Sequence, residues 1–159
     1  MPTTPARRMS EALKSKFVPV LKAAGFSGTF PRFRRNSETS IQFLSIQYDK
    51  AGTALFLEFG NHPPGDKNTS WGEIVPEGKL VLEHIPFDSR ARLQAQTGRG
   101  SIEKDWFHFG DFKEDAASYN KLAESIAIMF SQVESWLSTQ QFGPNVHQIG
   151  SNNSFKRDA

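Results

Sequence analysis

An α+β fold is what this sequence predicts: an antiparallel sheet of about four to five strands, with the N-terminal and C-terminal helices packed on one face. Three observations lead there. Apolar residues recur at helical spacing over residues 9–24 and again over 112–138. Between those stretches lie short segments of strand character, punctuated by turn residues. The resulting order is helix, strand meander, helix, so the two helices have one sheet to cover.

The first helix places apolar residues at 9, 13, 17, 20, 21 and 24, one face of a 3.6-residue period. Ser10 is its expected N-cap, with Glu11 in the first turn where the helix dipole favours it. Residues 1–8 then read as a flexible arm. Pro19 removes a helical hydrogen bond and crowds the carbonyl of residue 15, so a kink or break is expected there. Gly25 suits the left-handed position after the helix, and Phe26 can fold back on the last turn.

Strands are expected over 30–35, 41–48, 54–59, 79–85 and 106–109. The run Leu55, Phe56, Leu57 and Phe59 marks a central strand covered on both sides. Asp49-Lys50-Ala51-Gly52 is a hairpin turn. Pro31 suits a strand start and Pro86 a strand stop. Two connections, 61–78 and 86–105, are longer than a compact fold usually needs. In the last helix Tyr119, Leu122, Ala123, Ile126, Phe130, Val133 and Leu137 form the periodic face, behind Glu114 and Asp115 at its start. Residues 140–159 are polar and rich in Gly, Asn and Ser, and read as a disordered tail, which leaves 9–139 as one domain.

With 159 residues, 14 Phe and only 2 Tyr, the composition favours a packed core, because Phe is buried without a polar partner. There is no cysteine, which excludes a disulfide frame, a thiolate nucleophile and any Cys-based metal centre. No apolar run has signal-peptide or membrane-spanning length, so the expected address is the cytoplasm and no membrane partner is expected. Residues 1–35 carry eight Lys and Arg against Glu11 alone, a balance of +7, and the net charge of +2 leaves −5 for the rest. Internal complementarity, a basic first helix beside an acidic last one, is the first reading of that asymmetry. An anionic partner is the second.

The segment Leu21-Lys22-Ala23-Ala24-Gly25-Phe26, followed by Thr29-Phe30 and Arg32, and the later Asp105-Trp106-Phe107 carry a family resemblance. The chain resembles a group of small, mostly bacterial proteins catalogued only as a domain of unknown function. These open with a helix ending in Gly-Phe, continue with an aromatic-then-Arg strand, and have an Asp-Trp-aromatic motif before the last helix. The resemblance covers about residues 9–138, with Trp106-Phe107 standing where two adjacent tryptophans are expected. It implies an α+β fold and no established activity, cofactor or catalytic residue.

The residues themselves assign no catalytic group, metal ligand or cofactor. Of His62, His84, His108 and His147, only His108 has a carboxylate near metal spacing, Asp105, and strand alternation sends those two to opposite faces. His84 shares its expected strand face with Leu80 and Leu82, which reads as a core or edge histidine. Neither a Gly-x-Ser-x-Gly elbow nor a well-placed Ser-x-x-Lys occurs. Thr97-Gly98-Arg99-Gly100-Ser101 could form a backbone anion nest, though a surface turn is the plainer reading. In residues 30–35 alternation turns Phe33 inward and puts Arg32 and Arg34 on one face, which argues against a base-stacking platform.

Ligand-binding candidates are therefore Arg32, Arg34, Arg90 and Arg92, whose planar forks suit carboxylate or phosphate, together with His62 and His108. An anion site needs two of these guanidinium groups on one cavity without an intervening carboxylate. The leading functional reading is a non-enzymatic binding or protein-interaction domain, its partner a protein or an anionic ligand. One alternative is a small enzyme with its site between the 61–78 and 86–105 loops. The other is a nucleic-acid or polyanion binder using the basic N-terminal third.

Overall fold

The structure, a computed structural model, describes residues 4–95 and 105–149. Its first helix, α1 (Thr4–Lys16), begins earlier than the expected cap at Ser10. The reason is Ala6, which is buried with Met9, Ala12 and Leu13 and carries the apolar stripe a turn upstream. Pro5 sits in the first turn, where a missing N–H is no loss. Residues 4–8 of the expected arm are thus helical, and the Ser10 hydroxyl instead meets the Tyr48 hydroxyl at 2.6 Å.

Pro19 breaks the helix, and α2 (Val18–Ala23) restarts with Pro19 in its first turn. The Phe17 carbonyl accepts from both Val20 and Leu21, at 2.9 and 3.2 Å. At the far end Gly25 has φ +97°. There the Gly25 N–H returns to the Lys22 carbonyl and the Phe26 N–H to that of Leu21, both at 3.0 Å, the paired bonds of a Schellman ending.

Seven antiparallel strands form the main sheet: β1 (Ser27–Thr29), β2 (Arg32–Asn36), β3 (Ile41–Tyr48), β4 (Ala54–His62), β7 (Arg90–Leu93), β8 (Phe107–His108) and β9 (Val146–Gln148). Their order is β1-β2-β3-β4-β7-β9. The second edge of β4 is divided, residues 57–60 pairing with β7 and residues 54–55 with β8. β4 is the central strand, as its apolar run requires, with residues 54–60 all buried. The β3–β4 hairpin turns on Asp49, whose carboxylate accepts the backbone N–H of Thr53 at 2.7 Å and of Ala54 at 3.1 Å.

One face carries the helices. Leu44, Ile46, Leu55, Leu57, Phe59, Ala91 and Leu93 are buried there against α1, α2 and the last helix, α3 (Ala116–Thr139). Asp115 caps α3 by accepting the Ala117 N–H at 3.1 Å. Phe17 meets Phe130 edge to face at 5.9 Å, so both helical elements lie on the same side. The α1–α3 seam is apolar, through Met9, Leu13, Phe17, Ile126 and Phe130. Among the described residues no ion pair crosses it, so the expected charge screening between these helices is not what joins them.

The other face is covered by residues 61–89. A small hairpin, β5 (Lys67–Asn68) with β6 (Ile74–Val75), leads into three 3-10 turns, Glu77–Lys79, Leu82–His84 and Phe87–Ser89. Val75, Leu80, Leu82 and Ile85 close on Ile41 and Phe43 as a second, smaller core. Residues 79–85 are therefore not a strand. The alternation of Leu80 and Leu82 imitates one, but Pro76 and Pro86 bracket the segment and its amides close on local carbonyls, Leu80 on Glu77 and Ile85 on Leu82. The strand lies just beyond, at β7. Residues 140–149 also depart from the expected tail: β9 completes the sheet on β7, with Val146 buried. Asn145 makes this possible, its side-chain amide donating to the carbonyls of Gln94 and Ala95 while its N–H and Oδ1 bond Gln132. Among the described residues no helix is long and apolar enough to cross a membrane.

Candidate functional site

Strand alternation sends Arg32 and Arg34 to the outer face and turns Phe33 and Arg35 toward the helices. Phe33 is buried in the core. Arg35 lies between Phe26, 4.4 Å from its ring centroid, and Glu134, its bidentate partner. On the outer face Arg32 grips Glu83 with two bonds of 2.8 and 3.2 Å. The bond from Arg32 holds the Glu83 carboxyl below the usual carboxylate value, against a smaller opposing effect of burial. Arg34 bonds the Asn36 side chain at 2.9 Å and the Glu77 carbonyl at 3.0 Å, and lies over the ring of Phe43.

Arg90 and Arg92 share the same face of β7 and converge on Glu58, which is buried in β4. Arg90 reaches it at 3.0 Å and Arg92 at 3.3 Å, and Arg92 stacks on Phe56 at 4.1 Å. Arg90 also donates to the carbonyls of Ile85 and Glu83, at 2.6 and 2.9 Å. A pattern emerges: Arg32, Arg34 and Arg90 bind the segment 77–85, two of them through its carbonyls. Irregular backbone packed on a sheet leaves carbonyls without a ladder partner, and the guanidinium forks supply one. Two guanidinium groups do converge, but on Glu58 rather than on an open cavity.

His62 ends β4, its Nδ1 2.6 Å from the Pro63 carbonyl. His108 pairs with Ala54 at the opposite end of that strand. Those two positions are eight steps apart along the strand, about 26 Å at the rise of a strand. His62 and His108 therefore do not share a site, and Arg90 and Arg92 are turned to Glu58. Asp105 is buried while His108 is exposed, so that pair is split too. His84 takes the Val81 N–H on its Nδ1 at 3.1 Å. His147 stands opposite Arg92 in the β7–β9 ladder. Among the described residues no group of three or more His, Cys, Asp or Glu could hold a metal ion. The 97–101 stretch lies outside the described residues.

What the outer face does offer is a cleft of about 210 Å³ between β1–β3 and the 78–82 segment. Phe43, Leu80, Val81 and Leu82 make its walls mainly apolar, with Arg32 and Arg34 also lining it. Gly28 lets β1 close its end. Its φ is +130°, and a Cβ there would stand 2.5 Å from the Arg32 carbonyl oxygen. Arg34 is the one of the four candidate arginines without a carboxylate partner among the described residues.

Sequence reasoning missed Glu58, Phe43 and the 78–82 wall as parts of this face. A lone carboxylate inside an apolar strand, with Arg90 and Arg92 at alternating positions, was the available signal for the first. No local pattern marks the others, which meet the arginines only through the fold. A family model described as Domain of unknown function (DUF4304) matches residues 17–139. No curated protein and no solved structure matches the chain.

Proposed function

For a chain that belongs to the DUF4304 family, we propose a non-enzymatic binding domain whose ligand occupies the cleft between β1–β3 and the 78–82 segment. One observation carries this reading: the cleft is a mostly apolar concavity with a few polar groups at its edge, the usual composition of a ligand site. The distribution of reactive side chains supports it as well. His62 and His108 stand at opposite ends of β4, and the arginines of β7 are engaged with Glu58. The enzyme alternative would need those groups together. The nucleic-acid alternative would need exposed aromatic rings beside the arginines of β2; Phe33 is buried on the opposite face, and Phe43, which lies under Arg34, is buried as well. We place this activity in the cytoplasm, on the cysteine-free composition and the lack of a membrane-spanning helix among the described residues.

The test is a fragment screen on the whole chain, read from the methyl resonances of Leu80, Val81 and Leu82. Hits that shift these three are the expected result. A screen whose hits gather on another surface, or that yields none, overturns the assignment of the cleft.

A further inference from the structure

We propose that the cleft selects a small carboxylate with an apolar body, its carboxylate seated on Arg34; this rests on the reading of the cleft as a ligand site. A guanidinium has five N–H donors. Arg34 commits its Nε to Asn36 and one Nη1 hydrogen to the Glu77 carbonyl. Three donors remain, enough for the two-point contact that a planar carboxylate makes with arginine. No carboxylate pairs with Arg34 among the described residues, so it brings an uncompensated positive charge to the cleft. Arg32 lines the same cleft but is neutralised by Glu83, and so contributes shape rather than charge.

The guanidinium is also held in place. It lies over Phe43, 5.5 Å from the ring centroid, and its two bonds fix the direction of the fork. A pre-oriented fork loses little freedom on binding, which is where much of the cost of association lies. The rest of the ligand is set by the walls. Phe43, Leu80 and Leu82 are apolar and favour hydrocarbon over a strongly hydrated group such as phosphate. The volume lies below the roughly 300–1,000 Å³ of sites that take drug-sized molecules, so the body is short.

The experiment compares hexanoate with hexanamide, which share size and carbon chain but differ in charge. Both are titrated into the whole chain while the methyls of Leu80, Val81 and Leu82 are followed. Both should shift these methyls, with hexanoate binding about tenfold tighter because its hydrogen bonds to Arg34 are charge-assisted. That preference should disappear in Arg34→Met and return in part in Arg34→Lys. Should Arg34→Met fail to fold, because Arg34 also holds the Glu77 carbonyl, the hexanoate preference of the unchanged chain and its weakening by salt decide the matter. Equal affinities for the two probes, centred on the cleft, overturn the carboxylate proposal and leave the cleft as a ligand site. Failure of both probes to shift the three methyls overturns the cleft reading itself, and this proposal with it.

Discussion

Glu58 sits where a chain can least tolerate an unpaired charge, inside a strand buried on both faces and between two arginines. Its removal strands Arg90 and Arg92 without their shared partner. Glu58→Gln, which keeps the volume, should therefore cost about 3–5 kcal/mol in urea unfolding, the range for breaking a buried pair. A loss no larger than that of an ordinary surface substitution would show that the cluster does not hold β4 to β7. The exposed pair Arg32–Glu83 is the contrast: Glu83→Gln should cost at most about 1 kcal/mol. Asp49 gives a prediction in pH. Slight burial raises its pKa, but the backbone bonds from Thr53 and Ala54, with that of the Thr53 hydroxyl, outweigh this and leave it below its ordinary value of 3.8. Its stabilisation is complete above that value and is lost as the pH falls through the lower, folded value. The gap in melting temperature between the chain and Asp49→Ala should be constant near neutrality and narrow below about pH 3.8. The arginines of this face were legible as a group, because Arg32 with Arg34 and Arg90 with Arg92 alternate. Their partners were not. Glu58 meets Arg92 only through the β4–β7 register, and the two residues are 34 positions apart in the sequence.

Among the elements, those defined by local chemistry were readable and those defined by distant packing were not. Gly25 and Phe26 ended α2 as expected, and Pro19 divided the first helix. Leu55 to Phe59 made the central strand. The segment 79–85 failed because its apolar spacing suits a strand as well as it suits a chain laid across Ile41 and Phe43. Pro76, Pro86 and the local amide bonds turn it from a strand, and the arginines reaching in from β2 and β7 hold it on the sheet. The apolar seam between sheet and helices can be measured directly. Phe130→Ala should cost about 3–5 kcal/mol and Leu57→Ala about 2–5 kcal/mol, both from thermal or urea unfolding. Unchanged melting in either variant would mean that its side chain is not in the core. Both are buried, and Phe130 touches the rings of both Phe17 and Phe26.

At the scale of the whole molecule, the C-terminal strand is structural rather than a loose end. Deleting residues 143–159 removes β9 and the bonds of Asn145, so the melting temperature should fall. Asn145→Ala alone should cost about 1–3 kcal/mol, the penalty for leaving buried carbonyls and an amide without partners. A truncated chain that melts with the full one would show that β9 adds nothing to the sheet. The sheet order reaches β9 only through β7, which itself pairs with β4. On the helical side, Phe17 finds its partner only when Phe130 is present. A ribosome delivers these pieces in the opposite order of need. While residues 54–95 are already outside the exit tunnel, the apolar face of the sheet lacks α3 and the outer edge of β7 lacks its strand. Contacts so distant in sequence close slowly, and an open edge beside exposed apolar surface is the form in which chains aggregate. Slower elongation between β7 and residue 148 should prolong that exposure and lower the soluble yield of the chain, and an unchanged yield would show that the open edge is harmless.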